Sequence, residues 1–83
     1  MMDRDALLEA EEELVRQVAS LVDTAILQLM NVPMNRDQAL EVVGRCRAAV
    51  LDLMPDRRHV FDLVCMPRFR RVIETFVERR GRQ

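Results

Sequence analysis

Residues 3–30 read DRDALLEAEEELVRQVASLVDTAILQLM, 28 positions without a glycine or a proline. Apolar residues recur along this stretch at helical spacing, which predicts a single helix about 42 Å long at 1.5 Å per residue. In a chain of 83 residues that is a long stave, and its apolar stripe asks for more cover than a short chain easily supplies. From Leu14 onward the stripe is dense. Leu14, Val15, Val18, Leu21, Val22, Ala25, Ile26, Leu29 and Met30 spread over roughly 180° of the surface at 100° per residue. The earlier turns hold only Leu7 and Leu8, with Glu11 in line with the stripe. Glu9, Glu11, Glu12 and Glu13 crowd the N-terminal half, where the helix dipole favours acids, and Asp3 or Asp5 is placed to cap it. The predicted helix therefore has two parts, an acidic start that projects and an apolar remainder that builds a core.

The rest of the chain is also helical in pattern. Asn31-Val32-Pro33-Met34 ends the first helix, because Pro33 disfavours helical geometry at Val32 and has no N–H to donate. Asn35, with Gln38 three residues later, forms the signature of a capping box and starts a second helix. Ala39, Leu40, Val42, Val43, Cys46, Ala49, Val50, Leu51, Leu53 and Met54 give that helix an apolar arc close to 200° wide. Gly44 lies outside the arc, where it either permits a close approach or costs about 1 kcal/mol of helix propensity. Pro55-Asp56 ends the second helix, with Asp56 expected to cap a third helical segment. Val60, Phe61, Val64 and Cys65 then fall at helical spacing, as do Phe69, Val72, Ile73, Phe76 and Val77 beyond Pro67. Gly81 is the expected stop.

The expected fold is all-α, one domain over residues 1–83 with frayed ends at 1–4 and 81–83. Taking 56–80 as one helix kinked or split at Pro67 gives an up-down-up bundle of three helices with short connections. Four separate helices, the short third one crossing the bundle, are the alternative.

Composition narrows the function classes. Charged residues make up 33% of the chain, well mixed with apolar ones, which fits neither a membrane span nor a disordered chain. The acidic start lacks the basic and apolar pattern of a secretory signal, so a cytoplasmic protein without membrane attachment is expected. Cys46 and Cys65 do not form a CxxC pair, and the lone His59 is not at ligand spacing to either. Both cysteines fall on apolar faces, read as reduced, buried small hydrophobes; no metal or cofactor is expected. Net charge is −1, yet residues 1–34 carry seven acids against two arginines, and residues 57–83 carry eight arginines against three acids. All thirteen cations are arginine, which reads as the coding bias of a GC-rich, bacterial-like genome.

The residues support three readings of function. The first is a small interaction or regulatory module that homodimerises, with Leu14, Val18, Leu21, Ala25 and Leu29 as the expected seam. Opposite charge at the two ends would let an antiparallel pair set each acidic end against a basic one. The second is nucleic-acid or other anion contact through Arg68, Arg70 and Arg71, with Phe69 as a stacking face. The bland account of the same residues pairs Arg70 and Arg71 with Glu74 and Glu78 and turns Phe69 inward. The third is a helical enzyme using Arg47, a cation inside the apolar arc that must be paired, snorkel outward, or line a cleft; Asp23 is its expected partner. The methionines Met30, Met34, Met54 and Met66 sit near helix ends and either close the core or receive a partner helix.

Overall fold

The computed structural model describes residues 4–79 and is helical almost throughout. α1 runs Arg4–Asn31 and α2 Arg36–Leu53. α3 is a composite over 55–78: a 3₁₀ turn Pro55–Arg57, an α turn Arg58–Val60, a π-helical turn Phe61–Cys65, an α segment Met66–Val72 and a second π segment Ile73–Glu78. No strand occurs among the described residues. Arg36 of α2 meets Glu78 of α3 at 3.7 Å, while the α2–α3 turn packs beside Leu14 and Val15 of α1. The path is therefore up-down-up, with the acidic start of α1 and the last described turn of α3 at opposite ends.

Local chemistry accounts for the boundaries. At α2 the Asn35 side chain accepts the Gln38 N–H at 2.8 Å, and the Gln38 side chain accepts the Asn35 N–H at 3.0 Å, closing the capping box. Asp56 does not cap α3. Met54 occupies the cap position without a side-chain hydrogen bond, and Pro55 starts the helix at its first position, where a missing N–H is harmless. The expected cap Asp3, the Gly81 stop and, apart from Arg4, the ends 1–4 and 81–83 expected to fray lie outside the described residues; Arg4 is helical.

Pro67 neither splits α3 nor begins a new helix. The turn before it widens, and the Met66 N–H reaches back five residues to the Phe61 carbonyl. This gives the proline ring room that a regular α turn would deny it. The widening also sets which side chains align. Phe61, Cys65, Phe69, Ile73 and Val77 recur every four residues. In a regular α-helix each such step overshoots a full turn by about 40°, so Val77 would end about 160° away from Phe61. The two π segments unwind that drift. Phe61, Phe69, Ile73 and Val77 all remain inward, between 0% and 5% exposed.

One core results. Val22, Ala25, Ile26 and Leu29 of α1 meet Ala39, Val43, Cys46 and Val50 of α2 and the inward line of α3. Phe61 and Phe69 are tilted against each other at 6.0 Å between ring centres, a favourable aromatic separation. Met30, Met34 and Met66 pack against this core and close it. Only the second half of α1 contributes buried residues. Its first ten described residues contribute none to the core, and the chain measures 59 × 21 × 16 Å, with a radius of gyration of 15.2 Å against about 12 Å for a compact domain of this length.

Gly44 makes no close approach, since a Cβ built there meets nothing within 4 Å. Gly44→Ala is accordingly expected to stabilise the fold by about 0.5–1 kcal/mol through helix propensity alone. Thermal denaturation followed by circular dichroism checks this, and an unchanged or lower melting temperature contradicts it.

Candidate functional site

Arg47, like Glu78, is a charged side chain drawn partly into the seam between α2 and α3. Its Nε donates to Asp62 Oδ1 at 3.0 Å and a terminal nitrogen donates to Oδ2 at 3.3 Å, a bidentate pair across α2 and α3. Asp23 is exposed on α1 and is not the partner. The sequence expectation failed because Asp62 stands on the π turn, whose widening sets the direction of its side chain. The guanidinium is 35% exposed and lines none of five cavities between the helices.

The same hydrogen bonds, then desolvation working against them, hold the Asp62 carboxyl below its ordinary value of 3.8. A carboxylate with a depressed folded pKa stabilises the fold above its unfolded pKa, and that contribution is lost as pH falls through the folded value. Wild type is therefore expected to lose more stability than Asp62→Asn as pH drops below 3.8. Acid denaturation curves of the two proteins that run parallel through this window would contradict the pairing.

The arginine trio beyond Pro67 is divided by the fold. Arg68, Arg70 and Arg71 are exposed, and none has an ion pair among the described residues. The expected pairing with Glu74 and Glu78 does not form; Glu78 takes Arg36 instead. Arg70 lines a groove of about 290 Å³ between α2 and α3 together with Arg36, Leu40, Glu74 and Glu78. Arg68 and Arg71 lie outside that groove. Phe69 is 0% exposed and offers no stacking face. The helix is continuous through Cys65 and Met66, so no free helix N-terminus faces Arg68.

The five seam residues also separate. Ala25 and Leu29, at 5% and 0% exposure, are spent on the intramolecular core and leave nothing for a second chain to cover. Leu14, Val18 and Leu21 are half-buried. What the periodicity missed is where uncovered apolar surface collects. Leu7 and Leu8 are each 50% exposed, Val15 58%, Val60 48%, Leu63 77% and Val64 65%. These six belong to the first half of α1 and the start of α3, at one end of the bundle. Two of them, Val15 and Val60, border a cavity of about 260 Å³ that is lined also by Val18 of α1, Val50 and Met54 of α2, and Arg57, Phe61 and Cys65 of α3. A neighbouring cavity of about 270 Å³ extends it past Glu11, Leu14 and Asp56. The signal for part of this patch was present in the sequence as Leu7 and Leu8, apolar residues whose helical neighbours are mostly charged.

The cysteines are free. The Cys46 thiol donates to the Leu21 carbonyl at 3.7 Å, and burial raises the pKa of both thiols, so neither is an activated nucleophile. Among the described residues no three His, Cys, Asp or Glu side chains cluster in a way that would hold a metal ion. None of the described helices is long and apolar enough to cross a membrane. Comparison of the chain with protein-family models, with curated proteins and with solved structures finds no match.

Proposed function

We propose that this chain is a cytoplasmic protein-interaction or regulatory module that works as a homodimer. One observation carries the reading. The chain exposes 6456 Å² for a mass of 9.7 kDa, where a folded monomer of that mass exposes roughly 5,100 Å². The surplus exceeds the roughly 800 Å² that each partner buries in a standard interface. Six of the nine large apolar side chains left exposed among the described residues lie toward one end of the bundle, where an interface core could form. The two free thiols fit a reducing compartment. Multi-angle light scattering between about 1 and 100 µM, the range of ordinary association, is expected to give twice the 9.7 kDa chain mass. A mass of one chain throughout removes the reading.

A second reading has one observation in its favour. Asp62 and Glu78 pair with α2, and Glu74 lines the α2–α3 groove, leaving Arg68 and Arg71 exposed with no ion pair among the described residues. Two such cations suit phosphate contacts, although the buried Phe69 removes the stacking platform that single-stranded nucleic acid uses. Retention on DNA at low salt, lost in Arg68→Ala/Arg71→Ala, supports this reading, and no retention ends it.

A further inference from the structure

We infer that the apolar groove between α1 and α3 receives residues 4–13 of α1 from a second copy of the chain, each protomer inserting its extension into the other. The inference rests on the dimeric reading above and specifies its geometry.

One chain supplies both occupant and receptor. The extension is helical, contributes no buried residue to the core, and carries Leu7 and Leu8 half-exposed. The groove, about 260 Å³, is lined by apolar side chains that include Met54 and Phe61, and its lining residues Val15 and Val60 are 58% and 48% exposed. An amphipathic helix laid in such a groove is a recurrent mode of recognition.

Charge limits which contacts a second copy can make: acids that reach Arg57 or Arg68 gain, and those near the two-fold axis, where Glu11 meets its own copy, do not. Residues 4–13 hold five acids against one arginine. Of these acids, Glu9, Glu11 and Glu12 have no ion pair among the described residues, whereas Glu13 already holds Arg16 at 3.1 Å. Arg57 lines the groove, and Arg68 lies close enough to act on the Cys65 thiol that walls it. Both arginines lack an ion pair among the described residues. Glu11 and Asp56 line the adjoining cavity, so a strongly acidic helix gains only where its carboxylates reach these arginines.

Geometry makes the exchange reciprocal. The extension and the α1 wall of the groove are consecutive parts of one helix, so antiparallel crossing of two α1 helices sets Leu7 and Leu8 of one copy beside Val15 of the other. The two-fold axis repeats that contact. The free extension is about 15 Å long, enough to span the groove in two to three turns.

The test uses the full chain. Leu7→Lys/Leu8→Lys changes two half-exposed positions with little effect on helix propensity, and it is expected to raise the dimer dissociation constant about 100-fold or more. Circular dichroism reports whether its helix content is kept. Arg57→Glu carries the test independently: it is expected to weaken the dimer, and Glu9→Arg/Glu12→Arg in the same chain to restore it. If wild type is a dimer and neither Leu7→Lys/Leu8→Lys nor Arg57→Glu alters its dissociation, the inserted geometry is wrong while the dimer stands. A monomeric wild type overturns both.

Discussion

Phe69→Ala is expected to cost about 3–5 kcal/mol, the range for removing a buried phenylalanine. For a domain of this size that lowers the melting temperature by about 15 °C or more. The ring is fully buried, packs against Phe61 at 6.0 Å, and lies at the middle of the inward line of α3. Total stability for a chain this short is about 4–12 kcal/mol, so the substitution removes a large share of it. The surrounding arginines invite a different account in which Phe69 stacks on a ligand and its loss leaves the fold intact. Thermal unfolding separates the two: a melting temperature within a few degrees of wild type, about 1 kcal/mol or less, contradicts the core position.

Leu29→Ala is the second large effect, expected at about 2–5 kcal/mol, because Leu29 is 0% exposed where all three helices meet. Leu7→Ala, on the same helix, is expected to change the stability of the monomer by less than about 0.5 kcal/mol, since its side chain is half in water and borders no core. Chemical denaturation under dilute, monomeric conditions measures both. Similar values for the two leucines would mean that α1 is covered along its whole length, contrary to its division into a stave and an extension.

That division was legible in outline, because Glu9 to Glu13 interrupt the stripe, but the core stops at Val18 rather than Leu14 and leaves Val15 58% exposed. The α1–α2 break at Pro33 and the Asn35–Gln38 capping box were legible for the same reason: each is a local interaction within four residues. Two features were not. The pairs Arg36–Glu78 and Arg47–Asp62 join residues 42 and 15 positions apart, and no local rule selects among the acids available. The inward face of α3 was read at a period of 3.6, which placed Val60 and Val64 beside Phe61 and Cys65. The structure leaves Val60 and Val64 48% and 65% exposed. The spacing of Phe61, Cys65, Phe69, Ile73 and Val77 was visible, but a four-residue period has meaning only once the helix is allowed to unwind. Pro67 was the clue that it does.

The widened turn at Phe61–Cys65 also bears on how the chain tolerates change in length. A π turn holds one residue more than the α turn it replaces, so it acts as an insertion already absorbed into the helix. Removing one residue from 62–64 converts that turn to α-helix and leaves the segments before and after it facing as they did. The same deletion in the middle of α1 or α2 rotates everything downstream by about 100° and turns the apolar face toward solvent. Length variation in this protein is therefore accommodated inside a helix, a few residues before its proline, as well as in its connecting loops.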